Sequence, residues 1–175
     1  MAMRLAVVLE NFAWACANFV QDNHNAEEPQ DEEYPAWSVV LPEIGAYPDD
    51  GDGWRAIDRK LAGRCLGLRN RVQESQSEIR GISYYIEERL GETLDEQAAK
   101  RGLDAWKLAV DLRKKHGVEE IKPEWEYGEY LENTLKSVEE MRRKREESDA
   151  KSDLWNKTDR DGVEDGRRPN EGAGG

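Results

Sequence analysis

Residues 54–90 read WRAIDRKLAGRCLGLRNRVQESQSEIRGISYYIEERL. Trp54, Ile57, Leu61, Cys65, Leu68, Val72, Ser75, Ile79, Ile82, Ile86 and Leu90 follow one another at intervals of three and four. That spacing lines one side of an α-helix. A continuous helix over this stretch would be about 55 Å long at 1.5 Å per residue. The interval matches a heptad seam, so it predicts a long helix that pairs with others, within the chain or between chains. Gly63, Gly67 and Gly81 weaken the pattern, and the polar run Gln73–Ser77 offers a place for a bend. One long helix and a bent pair both fit.

The segments on either side extend the helical reading. Downstream, Thr93 and Glu96 form a capping-box pattern that starts a short helix, interrupted at Gly102. Asp104 can cap the next helix, with Ala105, Leu108, Ala109 and Leu112 as its apolar positions. It ends in Arg113, Lys114, Lys115 and His116 before Gly117, charges and a stop that suit a helix C-terminus. Pro123 opens a last helix carrying Trp125, Leu131, Leu135, Val138 and Met141. Upstream, Leu5, Val8, Leu9, Phe12, Cys16 and Phe19 recur at helical spacing. The apolar start resembles a signal peptide, but Glu10 and Asn11 interrupt the apolar run and Trp14 sits where a cleavage site wants small residues. An amphipathic core helix is the simpler reading. The run is too short and too polar to span a membrane.

Composition agrees with helices. Apolar and charged residues each make up 37% of the 175-residue chain, a balance that suits wide solvated faces and narrow buried stripes. Strand-rich folds want more β-branched and aromatic residues. The net charge of −12 argues against general affinity for nucleic acid or anionic lipid. Its distribution says more than its sum. From Leu5 to Trp54 there are eleven acids and no Lys or Arg, so the rest of the chain is close to neutral.

Within that acidic third, residues 21–53 are rich in Asn, Asp, Glu, Pro and Gly and hold one apolar patch, Ala36–Leu41. They read as a long loop that pins a short extended segment, with at most one short strand near 38–41, against the core. Immediately after it come Arg55, Arg59, Lys60, Arg64, Arg69 and Arg71, opposed only by Asp58. The expected arrangement is an acidic strap folded along this basic stripe, docked mainly by Trp37–Leu41. From about Lys151 the chain is polar and Gly-rich, which predicts a disordered tail in which Trp155 is the one large apolar residue.

No motif rises to a catalytic, metal or nucleotide site. GxSxG, GxxxxGK[ST] and GxGxxG are absent. Asp50 and Asp52 could open a calcium loop, but Trp54 and Leu61 stand where further oxygen ligands are needed. The acid pairs Glu87-Glu88, Glu119-Glu120 and Glu139-Glu140 lack the Glu-x-x-His of a bundle metal site. Cys16 and Cys65 belong to no cluster and read as small buried hydrophobes in a reducing compartment. Residues 93–117 loosely resemble a helix-turn-helix, with Gly102 at the turn and Arg101, Lys107, Arg113, Lys114 and Lys115 for phosphates. Asp104 and Asp111 on the reading helix argue against it.

The sequence therefore predicts an all-α helical bundle with one long central helix, an acidic N-terminal loop (21–53) and a disordered C-terminal tail. Residues 1–150 form a single domain and 151–175 the tail. The expected role is a non-enzymatic, cytoplasmic protein-interaction or scaffold protein that binds another protein or its own copy, without cofactor or metal. The residues expected to carry interaction are Arg55, Arg59, Lys60, Arg64, Arg71, Trp37 and Trp155. A DNA-binding regulator using 93–117 and an acidic nucleic-acid mimic are the alternatives.

Overall fold

A computed structural model describes residues 1–25, 39–83, 89–119 and 125–164, leaving aside the side chains of residues 83 and 153–164. Among the described residues there are five helices and no strand: α1 (Ala2–Asn25), α2 (Gly51–Ala56), α3 (Arg59–Ser83), α4 (Leu90–His116) and α5 (Tyr127–Glu164). Two compact units divide after Val138, Met1–Val138 and Glu139–Gly175.

The all-α expectation holds, and the long helix does not. Its stretch is cut at Ile57 and Asp58, where the backbone turns between α2 and α3. The cut has a local cause. Asp58 Oδ1 accepts hydrogen bonds from the backbone N–H of Lys60 at 3.0 Å and Leu61 at 3.2 Å, which satisfies donors that a new helix leaves unpaired. Residues 84–88, including Ile86 of the expected seam, lie outside the described residues. α1, α3 and α4 have 24, 25 and 27 residues and α5 has 38, so the longest helix lies outside the stretch 54–90.

The central helix is α4, against which α1 and α3 both pack. Leu94, Ala98, Ala99, Ala105, Leu108, Ala109 and Leu112 are buried along it. Facing them, α1 buries Leu5, Ala6, Leu9, Phe12, Ala13, Cys16, Ala17 and Val20. The start of α5 adds Leu131 and Val138. On α3 the expected seam positions Leu61, Cys65, Leu68, Ser75 and Ile79 are buried. They are buried within the chain. Burial pushes the Cys65 thiol up to about 11 and raises that of Cys16 too, so both stay inert thiols at neutral pH.

Gly102 is not a turn. It lies inside α4, and a Cβ there would come within 2.7 Å of the Cys16 Cβ and 2.9 Å of a Leu131 methyl. The missing side chain lets α1, α4 and α5 approach closely, and this outweighs the helix-propensity cost of about 1 kcal/mol. The capping box at Thr93 is also absent: α4 has already begun, and the Thr93 hydroxyl donates back to the Arg89 carbonyl at 3.0 Å. Segment 93–117 is therefore one helix apart from its closing Gly117, whose φ of 62° is the left-handed conformation that glycine favours.

In the second unit α5 is helical through residues 151–164, a stretch that composition marks as unstructured. Earlier in the same unit, i,i+4 pairs support the helix: Lys144–Glu140 at 2.8 Å and Arg143–Glu147 at 3.8 Å. Residues 165–175 lie outside the described residues.

Replacing Gly102 with Ala separates the two accounts of this glycine by sign. A solvent-facing helical glycine would gain about 1 kcal/mol of stability. Here the new methyl meets packed side chains, so denaturant unfolding is expected to show a loss of about 1–3 kcal/mol.

Candidate functional site, a basic groove between two helix ends

α3 and α4 run antiparallel, and their facing edges carry polar residues in register. Ser75 donates to Gln97 at 2.6 Å and accepts from Arg101 at 2.8 Å. Arg71 meets Asp104 at 3.4 Å, and Arg64 meets Asp111 at 2.7 Å. Seven residues back along α3, from Arg71 to Arg64, match seven residues forward along α4, from Asp104 to Asp111. The same register brings Asp58, at the start of α3, near Lys115, at the end of α4, where the lysine helps hold the Asp58 carboxyl below its usual range. The larger cause of that depression is the hydrogen bond from the Leu61 N–H.

This last step of the register opens into a groove of about 520 Å³ lined by Asp58, Lys60, Leu61, Arg64, Asp111, Lys114 and Lys115. Four cations and two carboxylates share one concave surface, so the local charge is positive on a protein of net charge −12. Lys60, Lys114 and Lys115 are exposed, and among the described residues none of them makes a direct ion pair. Part of this charge has a structural use, since lysines at the end of α4 oppose the negative end of its dipole. Lys60 has no such use.

The sequence-expected site residues divide accordingly. Arg55 pairs with Asp52 at 2.9 Å on the open surface, and Arg59 is exposed. Arg71 is committed to Asp104. Lys60 and Arg64 reach the groove. Trp37 and the side chain of Trp155 lie outside the described residues. Of the five bases assigned to phosphate contacts in 93–117, Arg101 and Arg113 are buried and Lys107 pairs with Glu132 at 3.1 Å. Only Lys114 and Lys115 among those five line the groove, and it is their meeting with Lys60 and Arg64 that the linear sequence does not display. Asp104 and Asp111, which argue against DNA reading, turn out to be the partners of two α3 arginines.

Asp50 also has a local role. Its carboxylate accepts from the Gly53 N–H at 2.8 Å and caps α2. Among the described residues no group of three potential metal-ligating side chains converges.

The described half of the acidic segment, Val39–Asp50, does lie along α3, but not through its acids. The Gln76 amide accepts from the Leu41 N–H at 2.8 Å and donates to the Val39 carbonyl at 3.1 Å. Arg69 donates to the Gly45 carbonyl at 2.7 Å and sits 4.3 Å from the centre of the Tyr47 ring. The Tyr47 hydroxyl donates to the Cys65 carbonyl at 2.8 Å. An extended chain climbing from 41 to 47 covers about the same distance as the helix from 76 to 65, which is why four short contacts can share one register. Burial pushes Tyr47 up to about 12, so its phenol remains a donor at all ordinary pH. Its share of stability is complete below about 10 and is lost as pH rises through about 12. Residues 26–38, with Trp37 and the expected docking contact of that residue, lie outside the described residues.

Among the described residues, Val39–Asp50 is held by hydrogen bonds between side chains and backbone, the buried Leu41 side chain and an aromatic contact. Tyr47→Phe and Gln76→Ala are each expected to cost about 1 kcal/mol and to speed proteolysis within Val39–Asp50. Raising NaCl to 0.5 M is expected to leave that cleavage rate nearly unchanged, whereas a strap held by ion pairs would loosen. Comparison with protein-family models, with curated proteins and with solved structures finds no match.

Proposed function

We propose that this is a non-enzymatic helical interaction protein that receives an acidic segment of a partner protein in the groove between the start of α3 and the end of α4. One observation carries the reading: Lys60, Lys114 and Lys115 line a cavity of about 520 Å³ and have no direct ion pair among the described residues. Arg55, Arg64 and Arg71 nearby are each paired.

A concave positive surface concentrates its field and attracts carboxylates. Leu61 and the lysine stems supply apolar floor for the methylenes of glutamate. A peptide fits this surface better than duplex nucleic acid does. The groove is short, two carboxylates stand inside it, and 90–116 is a single helix without the turn that a helix-turn-helix requires. His24, with its 2.6 Å contact to Asp95, ties the end of α1 to α4 and does not line the cavity.

Fluorescence anisotropy with a labelled glutamate-rich peptide in ~50 mM NaCl tests the proposal. Exposed charge contacts are each worth up to about 1 kcal/mol, so reversing all three lysines (Lys60→Glu, Lys114→Glu, Lys115→Glu) is expected to weaken binding by about 10–100-fold. Binding that survives the triple reversal, or a clear preference for duplex DNA over the acidic peptide, would overturn it.

A further inference from the structure

Within the groove, Asp111 already occupies the place of an acidic ligand. Its Oδ2 lies 2.7 Å from Arg64 Nη1, a charge-assisted hydrogen bond, and the pair is half exposed, at 50% for the arginine and 46% for the aspartate. The neighbouring carboxylate has a structural task, since Asp58 caps α3 through two backbone N–H groups. Asp111 has none of that kind: Arg64 is its one hydrogen-bonding partner among the described residues. The corresponding acid one step along the register, Asp104, is held by two arginines, Arg71 and Arg101.

We infer that Asp111 is an internal competitor that sets the affinity of the groove, and that Arg64 is the residue that reads the incoming carboxylate once Asp111 has been displaced. This rests on the acidic-peptide reading above. The chemistry needs no backbone movement. A guanidinium accepts a carboxylate side-on through two parallel N–H donors, and a ligand carboxylate entering the groove meets Arg64 from the solvent side while Asp111 swings into water. The exchange replaces one ion pair with another, so Arg64 adds little net affinity while Asp111 is present. It adds selectivity instead. A ligand with a single charge gains nothing at Arg64, whereas one that also engages Lys60, Lys114 and Lys115 gains three contacts that Asp111 does not contest. Such a groove ignores isolated anions and responds to clustered acids.

The closing experiment uses the full chain and the labelled glutamate-rich peptide. Removing the competitor's charge with Asp111→Asn is expected to tighten binding by about 3–5-fold, the range set by losing one half-exposed pair. Adding Arg64→Gln to Asp111→Asn should abolish that gain. Glu132→Gln changes net charge equally and stands close to Asp111, but it pairs with Lys107 and does not line the lysine groove, so it should shift affinity by less than about 2-fold. Circular dichroism melts of each variant confirm that the fold persists. The inference fails if Asp111→Asn binds no tighter than wild type, or if its gain survives Arg64→Gln or is matched by Glu132→Gln. In each of those cases a wild-type protein that still loses binding on triple lysine reversal leaves the groove itself standing. No binding by wild type and by Asp111→Asn alike would remove both.

Discussion

Glu10 and Arg113 form a buried bidentate pair between α1 and α4, with Oε1 to Nε at 2.6 Å and Oε2 to Nη2 at 2.9 Å. Their side chains are only 9% and 5% exposed. Burying two charges is costly, and the cost is offset only when geometry is good and the remaining donors are used. Both conditions hold. The remaining terminal nitrogen of Arg113, Nη1, donates to the Glu119 carbonyl at 2.7 Å, which also ties down the chain that leaves α4. Such a pair tolerates no slip: shifting α1 by one residue along α4 would leave two uncompensated charges in the core.

The constraint reaches the surface. With Arg113 turned inward to Glu10, the next two residues, Lys114 and Lys115, stand at the exposed end of α4. There the antiparallel register with α3 brings them beside Lys60 and Arg64. The groove is thus a consequence of packing underneath it. A buried arginine fixes where two exposed lysines project, and an N-capping aspartate fixes where α3 begins. Close approach at Gly102 lets α1, α4 and α5 share one core, and Gly128 does the same for Trp106, whose indole occupies the space a Cβ would take. Trp106 then stacks edge-on against Tyr127 at 4.8 Å between ring centres.

Much of the helical architecture is legible from spacing alone. The apolar intervals of residues 5–19 mark α1, and those of 61–79 mark the buried side of α3. What spacing does not show is where a helix stops or what a polar residue meets. Ile57 and Leu61 keep the helical interval across the cut at Asp58, because a period carries over a short break unnoticed. Gly102 reads as a turn because an interior glycine weakens a helix, and only the positions of Cys16 and Leu131 reveal why it is there. Glu10 interrupts an apolar run and so argues against a leader peptide, while Arg113 reads as a charge soothing a helix end. Neither reading hints that the two meet across 103 residues. The basic cluster of 55–71 is plain in the sequence. Which of its members are spent on Asp104 and Asp111, and which are left for a partner, depends on the register of α3 against α4 and is therefore a tertiary fact.

The Glu10–Arg113 pair should act as a coupled buried unit, and a double-mutant cycle in urea measures that most directly. Glu10→Ala and Arg113→Ala each leave a charge stranded in the core, so each alone should cost about 3–5 kcal/mol. The double variant should cost much less than their sum, with a coupling energy of about 2 kcal/mol or more. A coupling within about 0.5 kcal/mol of zero, the behaviour of an exposed or independent pair, would contradict the account and with it the anchoring of the groove.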